Sequence, residues 1–427
     1  MMIKPNPNRS RALLFASLLA AAGLAAAADT SSSNARAGIA AENGSNPSNV
    51  PEQLDDPKTA DVTVTGHVFK PTPVAPNASN RARLSVPDGL SVDVFAEDLG
   101  NARMMATGPD GAIYVTRRKE GDVLMLTDSD DDGRADDRKV VAKKDAMHGI
   151  EIDGNTAWLM TVNDVYRTTI QDDGSFGELE KIATGFPSGG QHPNRTLALG
   201  PDDALYVSVG STCNACGETE KLSATMVRMS RDGSEREIFA SGLRNTIGFD
   251  FEPQTGELYG FDHGIDWLGD DEQPEEFNHL QQGMQYGWPY VYADSQLNPQ
   301  DVPPEGTSKQ WAEQSVEPML MWTPHAAPMQ MRFYESDALG ATYRGDAFVA
   351  MRGSWNRKPP SGYEIVRVDF DEGEPQSIEP FITGFVQQTD DGWQQIGRLA
   401  GLTVAKDGSL LFSDDENGVI YRVSRDD

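Results

Sequence analysis

The stretch MATGPDGAIYVTRR, residues 105–118, determines how the rest of the chain is interpreted. It places a Gly-Pro-Asp-Gly turn between two short runs of apolar and β-branched residues, which is the pattern of a β-hairpin. The same strand–turn–strand pattern returns in LALGPDDALYVSVG, residues 197–210, and in LTVAKDGSLLFSDD, residues 402–415. Repetition of one β unit along the chain predicts an all-β protein built from equivalent sheets.

The unit occurs six times, and each copy carries one aromatic residue at the equivalent position. These residues are Tyr114, Trp158, Tyr206, Tyr259, Phe348 and Phe412. The first three steps between them, 44, 48 and 53 residues, suit a four-stranded propeller blade. A longer step contains an insertion, roughly residues 264–330, in which PEEFNHLQQG (residues 274–283) is predicted to be helical. The pattern therefore predicts a six-bladed β-propeller with a small, partly helical insertion, and seven blades remain the alternative.

The start of the repeat region predicts how such a ring would close. LSVDVFAEDL, residues 90–99, reads as a strand that precedes the first repeat. Pairing of this strand with the last blade would join the two ends of the domain. Closure of this kind removes exposed sheet edges.

Three segments are predicted along the chain. Residues 1–28 combine a basic start with a long run rich in Leu and Ala, which is typical of a signal peptide. Residues 29–82 are rich in Ser, Asn and Pro and are predicted to be a flexible leader or linker. Residues 83–427 form the predicted propeller, and no later apolar run is long enough to span a membrane. The protein is therefore expected to be periplasmic or secreted.

The chain is strongly acidic, with a formal net charge of −30 at pH 7. Such a charge repels polyanions, so nucleic acid is excluded as a partner. An anionic ligand would need a local cluster of basic side chains, which makes arginines near predicted strand ends more informative than usual.

The two cysteines, Cys213 and Cys216, lie in STCNACGE. A c-type haem would require His after the second cysteine, and Gly217 stands there instead. In an oxidising compartment this pair is predicted to form a disulfide bond.

Polar residues recur beside the apolar strands. In a propeller, loops at one end of the blades surround the central channel, where a ligand can bind. The residues in this position are His148, His192, Arg244, Asn245, His263, Gly264, Arg352 and Arg398. Taken singly, each could be a structural residue. Together, the arginines would form a binding pocket for a polyanionic cofactor.

An acidic loop, DSDDDGRADD at residues 128–137, has the spacing of a calcium loop. Asp128, Asp130, Asp132 and Asp136 would converge on one ion, with a glycine allowing the sharp turn. The glutamate that ends an EF-hand loop is absent, because Lys139 occupies its position. A structural Ca²⁺ site and a solvated acidic hairpin both remain open.

Three longer segments together carry a resemblance. They are ASGLRNTIGFDFEPQTGELYGFDHG (240–264), QHPNRTLALGPDDALYVSVGSTCNAC (191–216) and GDAFVAMRGSWNRKPPSGYEIVRV (345–368). From about residue 84 to 425 the chain resembles the soluble PQQ-dependent glucose/sorbosone dehydrogenase family, more closely its L-sorbosone dehydrogenase-like branch. The resemblance implies a six-bladed propeller that holds pyrroloquinoline quinone (PQQ) over its channel, with Ca²⁺ bound to the quinone.

The resemblance also implies roles for individual residues. His192 stands at the position of the general base. Five further side chains are implied to contact the cofactor: His148, Arg244, Asn245, Arg352 and Arg398. Gly264 and Ile265 are implied to bind Ca²⁺ through their backbone carbonyls. Glucose-oxidising members have Gly-Pro where this chain has Gly-Ile, and they carry a second arginine where this chain has Ala400.

These observations predict a periplasmic PQQ-dependent oxidoreductase. It would oxidise a sugar, a sorbosone-like aldehyde or a polyol by hydride transfer to the quinone, and a separate electron acceptor would reoxidise the cofactor. One alternative is a calcium-dependent lactonase-like propeller, which would place acidic side chains around a central ion. The other is a propeller that binds a partner without catalysis.

Overall fold

The computed structural model describes residues 63–426. Strands dominate this range, and its helices are short: Ala78–Arg81, Ser308–Ala312 and the 3₁₀ turn Ala341–Tyr343. The prediction of an all-β protein with a small helical element in the insertion is confirmed. The predicted signal peptide, residues 1–28, and most of the predicted linker lie outside the described residues.

The strands build six four-stranded sheets, which we number as blades along the chain. Blade 1 consists of Ala102–Thr107, Ile113–Arg117, Asp122–Thr127 and Asp137–Lys143. Blade 2 consists of Gly149–Asp153, Thr156–Met160, Val165–Thr169 and Glu180–Ala183. Blade 3 consists of Arg195–Leu199, Ala204–Val209, Thr225–Ser230 and Arg236–Ser241. Blade 4 consists of Gly248–Phe251, Leu258–Asp262, Glu275–Leu280 and Leu320–Trp322. Blade 5 consists of Pro328–Phe333, Ala347–Met351, Glu364–Asp371 and Glu374–Ile382. Blade 6 consists of Leu399–Val404, Leu410–Asp414, Val419–Arg425 and, from the start of the domain, Leu90–Ala96.

The first strands of the blades are the innermost ones and form a ring. Each contacts the first strand of the preceding blade and of the following blade, and the first strand of blade 6 contacts that of blade 1. The ring closes through Leu90–Ala96, which pairs antiparallel with Val419–Arg425 as predicted. The described residues therefore form a closed propeller, and its central axis is surrounded by the starts of six equivalent strands.

The repeated aromatic residues explain how neighbouring blades pack. All six lie on the second strand of their blade, and none is more than 5% exposed. The hydroxyl of Tyr114 in blade 1 donates a hydrogen bond to the carbonyl of Gly174 in blade 2 at 2.6 Å. The hydroxyl of Tyr259 in blade 4 donates to the carbonyl of Gly373 in blade 5 at 3.2 Å. The recurrence of an aromatic residue on the second strand thus reflects contacts between blades as well as burial.

The prediction of a helix at residues 274–283 is wrong. Glu275–Leu280 is instead the third strand of blade 4, between Leu258–Asp262 and Leu320–Trp322. Five of its six residues are buried, so the strand lacks the alternation of apolar and polar residues expected of a half-exposed strand. The short helix of the insertion lies further along, at Ser308–Ala312, and begins with a capping box formed by Thr307 and Gln310.

The remaining small sheets connect the insertion and the N-terminal segment to the propeller. They are the hairpin Val291–Tyr292 with Gln296–Leu297, and the sheet of Thr72–Pro73, Val386–Thr389 and Gly392–Gln395. Thr72 pairs with Gln394, and the backbone N–H of Phe69 donates to the carbonyl of Trp355 at 2.9 Å. Contact with the propeller therefore begins well before residue 82, where the sequence placed the end of the linker.

None of the helices within residues 63–426 combines the length and apolar character needed to cross a bilayer.

Candidate active site

His192 and four of the five predicted cofactor-binding residues lie just before the innermost strands. His148 immediately precedes the first strand of blade 2, and Arg398 immediately precedes that of blade 6. His192 and Arg244 precede the first strands of blades 3 and 4 by a few residues. In a propeller these strand starts share one end of the ring, so residues far apart in sequence meet there.

A cavity of about 230 Å³ lies on the side of blades 3, 4 and 5. The residues that line it are Gln191, His192, Arg244, His263, Gly264, Asp266, Glu275, His325, Ala327, Trp355 and Asn356. The structure thus brings together the predicted base, one predicted cofactor-binding arginine and one residue of the predicted calcium loop. Asp266, Glu275 and His325 were missed by the sequence analysis, because they lie in the insertion, where the repeat pattern gives no guide to position.

His192 is held in the cavity by one hydroxyl and one guanidinium group. Its ring Nδ1 lies 2.8 Å from Ser211 Oγ, and its carbonyl accepts a hydrogen bond from Arg195 Nη1 at 2.5 Å. Burial, together with the nearby Arg244 and His263, lowers the pKa of His192 to about 2. The imidazole is therefore neutral at pH 7, which is the form that can accept a proton.

Arg244 is buried and oriented by two side chains. Its Nη2 donates to Asn214 Oδ1 at 2.7 Å and to Asp266 Oδ2 at 2.8 Å. The backbone N–H groups of Arg244 and Asn245 donate to the carboxylate of Asp262 at 2.8 and 2.7 Å. This carboxylate fixes the turn that presents both predicted cofactor-binding residues.

The side chain of Asn245 has an unused acceptor. Its Oδ1 is buried and has no hydrogen-bond partner among the described residues. A Cβ atom added at Gly210 would lie 2.7 Å from this oxygen, so the neighbouring glycine keeps the space beside it free. Because buried acceptors are nearly always satisfied, this atom indicates a position for a ligand or a water.

A second cluster brings together the other predicted arginines. Arg352 Nη2 donates to Asp415 Oδ1 at 2.9 Å, and Arg398 Nη2 donates to the carbonyl of Gly353 at 2.7 Å. Arg103 forms a further ion pair with Asp415. Burial opposes ionisation of Asp415, but Arg103 and Arg352 outweigh it and lower its pKa to about 2.

Arg103 and Asp415 were missed by the sequence analysis. Arg103 stands inside the first strand of blade 1, and Asp415 directly follows the second strand of blade 6. The signal available was an arginine within the apolar run ARMMA, residues 102–106, where a charged residue is not expected without a partner.

His148 lies beside this cluster and is 1% exposed. Its Nε2 is 3.1 Å from Arg103 Nη2, and its Nδ1 is 3.0 Å from the carbonyl of Arg195. An arginine can only donate, so Nε2 is the acceptor and Nδ1–H donates to the carbonyl. Burial and Arg103 lower the pKa of His148 well below its usual range. Both ring nitrogens are used by protein groups, and contact with a cofactor remains a prediction.

The predicted calcium loop, Gly264 and Ile265, is held by its N–H groups. Gly264 N–H donates to Glu275 Oε2 at 2.9 Å, and Ile265 N–H donates to Gln273 Oε1 at 3.0 Å. A Cβ atom at position 264 would come within 2.6 Å of the carbonyl of Gln273, so only glycine fits there. The carboxylates of Asp266 and Glu275 line the same cavity, and oxygen ligands of these kinds suit Ca²⁺.

The acidic loop lies apart from this cavity, between the third and fourth strands of blade 1. The carboxylate oxygens of Asp128, Asp130 and Asp136 come within 4.8 Å of one another. Asp132 does not join them, and its Oδ1 accepts a hydrogen bond from the N–H of Arg134 at 2.9 Å. The structure therefore assembles three of the four predicted carboxylates, and ion binding stays a prediction.

The predicted disulfide bond between Cys213 and Cys216 is present. It closes a loop that reaches the cavity through Asn214, the partner of Arg244.

Fold and site together define a class of protein: a closed β-propeller with a neutral histidine and buried arginines at one end of its ring of innermost strands. Residues 84–426 match the TrAA12-like family model, and the chain belongs to this family. The resemblance to PQQ-dependent sugar dehydrogenases is thereby confirmed for the family as a whole rather than for its L-sorbosone dehydrogenase-like branch.

Relatives match over most of the chain at modest identity. An uncharacterised protein of Borreliella burgdorferi is 26% identical over 362 residues, which cover 80% of this chain and 90% of that protein. The PQQ-dependent sugar dehydrogenase of Hypocrea jecorina is 24% identical over 396 residues, which cover 78% of this chain and 87% of that protein.

Solved structures show the same fold. The calcium structure of a Trichoderma reesei protein of Carbohydrate-Active Enzymes family AA12 superposes with a TM-score of 0.71 at 23% identity, covering 81% of this chain and 97% of that one. The holo form of the pyranose dehydrogenase PQQ domain from Coprinopsis cinerea superposes with a TM-score of 0.68 at 21% identity, covering 80% and 97%.

Proposed function

We propose that the protein is a PQQ-dependent dehydrogenase that oxidises a sugar or a related aldehyde or polyol, with His192 as the general base. The observation that carries this proposal is the placement of a neutral histidine in one cavity with Arg244 and Gly264. The relatives named as PQQ-dependent dehydrogenases support the choice of cofactor.

The charges near the channel favour an anionic cofactor. Arg103, Arg352 and Arg398 cluster around a single ion-paired carboxylate, Asp415, and Arg244 adds a cation in the neighbouring cavity. Burial and the nearby Arg352 lower the pKa of Arg398 to about 10, so the group still carries its charge at pH 7. Like charges packed together are destabilising unless anions balance them. The carboxylates of PQQ would supply that balance in a chain that is acidic elsewhere.

The residues present fit the cofactor and its metal. Asn245 has a buried acceptor without a partner among the described residues. The hydrogen bonds described for the side chains of Arg352 and Arg398 use Nε and Nη2, which leaves Nη1 for carboxylate or quinone oxygens. The Gly264–Ile265 peptide would bind Ca²⁺ through carbonyl oxygens. When bound, PQQ supplies an electrophilic carbon that accepts hydride, and Ca²⁺ acts as a Lewis acid on it.

His192 and Arg244 would act on the proton of the substrate hydroxyl. A substrate hydroxyl in the cavity would give its proton to Nε2 of His192 as hydride leaves the carbon that bears this hydroxyl. The fixed cation of Arg244 favours the anionic form of a hydroxyl placed beside it, which makes that proton easier to remove.

An aromatic pair at the cavity edge suits a sugar. Trp355 lines the cavity and packs edge-on against Trp267, with ring centroids 5.3 Å apart, and Trp267 is 47% exposed. The polar side chains of Gln191 and Asp266 lie beside them. Flat apolar rings bordered by hydrogen-bonding groups match the apolar faces and hydroxyls of a pyranose.

Replacing Trp355 with alanine is expected to raise KM for the preferred sugar about tenfold, or ~1.4 kcal/mol, while kcat changes little. The ring would contribute binding that is equal in ground and transition states. Steady-state kinetics with an electron-accepting dye would measure both constants. Trp393→Ala, outside the cavity, is the control. A fall in kcat with unchanged KM would contradict the assignment of Trp355 to sugar binding.

The proposal is tested by reconstitution. Purified protein without cofactor would be titrated with PQQ in the presence of Ca²⁺, and binding would be followed by absorbance. Dye reduction would then be measured with aldoses, aldehydes and polyols. Saturable binding with turnover is the expected result. Absence of PQQ binding at micromolar concentration would overturn the proposal, and hydrolysis of a lactone without PQQ would favour the lactonase alternative.

We infer that a separate electron carrier reoxidises the cofactor and that the protein acts in the periplasm or outside the cell. The Cys213–Cys216 disulfide supports an oxidising compartment. Mass spectrometry of exported protein should show the N-terminus produced by cleavage near residue 28.

The acidic loop is proposed to bind a structural Ca²⁺. The double variant Asp130→Asn/Asp136→Asn is expected to lose much of the rise in Tm that Ca²⁺ gives the wild type. A ligand at 100 times its Kd stabilises by about 2.7 kcal/mol. Asp131→Asn is the matched control, since Asp131 lies in the same loop at φ 58°, which asparagine tolerates, and is outside the carboxylate trio. Equal stabilisation of both variants by Ca²⁺ would contradict the site.

A further inference from the structure

The disulfide loop Cys213–Cys216 binds Arg244 directly through Asn214 and is linked to His192 through the neighbouring Ser211. We propose that it is a positioning element, in which Ser211 sets the tautomer of His192 and Asn214 orients Arg244. This inference rests on the proposed function, because it concerns the base and the cation of that same site.

The hydrogen bonds of Ser211 determine where the proton of His192 lies. Ser211 Oγ is 2.7 Å from the carbonyl of Cys213 and 2.8 Å from His192 Nδ1. A carbonyl has no proton, so the hydroxyl must donate to it. Oγ can then only accept from Nδ1–H, since a hydroxyl has a single proton. Ser211 is fully buried, so bulk solvent does not compete for either bond.

The consequence is a base with its lone pair on Nε2. With the proton on Nδ1, the other ring nitrogen is free to receive the substrate proton. The partner of Nδ1 is a neutral hydroxyl, whereas a carboxylate in that place would stabilise imidazolium and raise the basicity of the ring. Among the described residues no carboxylate forms a salt bridge or hydrogen bond with His192. The site therefore fixes the orientation of the His192 ring without raising its basicity.

Asn214 lies between the two cysteines and accepts two hydrogen bonds from Arg244. Its carbonyl accepts from Arg244 Nε at 2.9 Å, and its Oδ1 accepts from Nη2 at 2.7 Å. Two adjacent bonds to one edge of a guanidinium fix its plane. Asn214 Oδ1 also accepts from the N–H of Asp266 at 2.9 Å, which ties the loop to the segment that follows the predicted calcium peptide.

The disulfide explains how so short a loop can hold the groups that position His192 and Arg244. The carbonyl of Cys213 receives the Ser211 hydroxyl, and Asn214 is the next residue. Closing the chain between Cys213 and Cys216 restricts both peptide groups at once. Opening the loop would free the base and the arginine together.

The first test uses Ser211→Ala and Ser211→Asp. Ser211→Ala is expected to lower kcat about 10- to 100-fold, as loss of a group that orients a ligand or base commonly does, with PQQ affinity unchanged. Ser211→Asp places a carboxylate on Nδ1, so the acid limb of the kcat/KM profile should move about 1–2 units toward higher pH. Such a shift would show that the group at position 211 acts on the ring of His192. Wild-type kcat in Ser211→Ala would overturn the assignment of Ser211.

The second test concerns Asn214. Asn214→Ala is expected to weaken PQQ binding about tenfold, whereas Asn214→Asp keeps the acceptor for Arg244 and should retain most of it. Cys213→Ser/Cys216→Ser should lower both kcat and PQQ affinity. Ala215→Ser, in the same loop, is the matched control. Unchanged binding and turnover in Asn214→Ala and in the double cysteine variant would overturn the positioning role of the loop.

A measurement without cofactor separates this inference from the proposed function. Long-range ¹⁵N–¹H NMR of the wild-type protein without PQQ distinguishes a protonated Nδ1 from a protonated Nε2. If wild type failed to bind PQQ, the proposed function would fall, yet an Nδ1–H tautomer that is lost in Ser211→Ala would still support the inference. An Nε2–H tautomer would overturn it.

Discussion

Replacing His192 with alanine is expected to lower kcat about 10²–10⁴-fold, the usual contribution of a positioned general base. The ring is neutral because burial and the nearby Arg244 and His263 hold its pKa at about 2. It faces the same cavity as Arg244, as do His263 and His325, whose Nε2 atoms contact the carbonyls of Pro328 and Gly269. PQQ affinity should change far less than kcat, since the base acts on the substrate.

The measurement is dye-linked turnover of the reconstituted enzyme at saturating sugar, together with a PQQ binding titration. His192→Asn, which keeps much of the volume, should be as inactive as His192→Ala. His279→Ala is the control, because His279 lies on the third strand of blade 4 outside the cavity. Near wild-type turnover in both His192 variants would show that another group removes the proton.

Replacing Asp415 with asparagine is expected to destabilise the fold by about 3–5 kcal/mol, the usual result of removing one partner from a buried ion pair. Asp415 is fully buried and pairs with Arg103 and Arg352. Asparagine would leave the guanidinium groups of Arg103 and Arg352 without their ion-pair partner. The effect should be large because the cluster lies at the ring where blades 1, 5 and 6 meet.

The direction of the pKa shift of Asp415 determines how its contribution to stability depends on pH. The pKa of Asp415 is lowered to about 2 in the folded protein, against an ordinary value of 3.8. The stabilisation is therefore present above pH 3.8 and is lost as pH falls toward 2. Urea unfolding of wild type and Asp415→Asn should differ most near neutral pH and converge in acid.

Asp407→Asn is the control for this experiment. Asp407 pairs with Arg422 at 2.6 Å, but its side chain is 52% exposed. An exposed pair contributes about 0–1 kcal/mol, so this variant should unfold close to wild type. Equal effects of the two substitutions would contradict the view that the channel arginines depend on Asp415.

The repeat could be predicted because it is local. A Gly-Pro-Asp-Gly turn between apolar runs specifies a hairpin wherever it occurs, and Tyr114 or Phe412 marks the second strand of its blade without any knowledge of the rest. Residues 274–283 could not be assigned in the same way. A strand that is buried on both faces loses its alternation, so Glu275–Leu280 resembles a helix segment until its neighbours are known.

The candidate site was predictable only in part. His192 and Arg244 stand beside apolar strands and carry a recognisable pattern of neighbours. Arg103 and Asp415 belong to opposite ends of the domain and meet only when blade 6 closes against blade 1. Asp132 shows the reverse case, since it shares the spacing of its neighbours in the acidic loop but turns its carboxylate to a backbone N–H.

The sequence by itself determined the β class, the blade repeat, the disulfide and the strand ends where polar residues gather, because short-range turn and strand preferences specify each of them. The tertiary structure alone decided which of those polar residues share a cavity. Closure of the ring places the starts of six strands at one end, and their distances then depend on contacts such as that between Arg103 and Asp415, which are 312 positions apart. The neutral state of His192 and the ionised state of Asp415 follow from that burial and those neighbours, which no local pattern encodes.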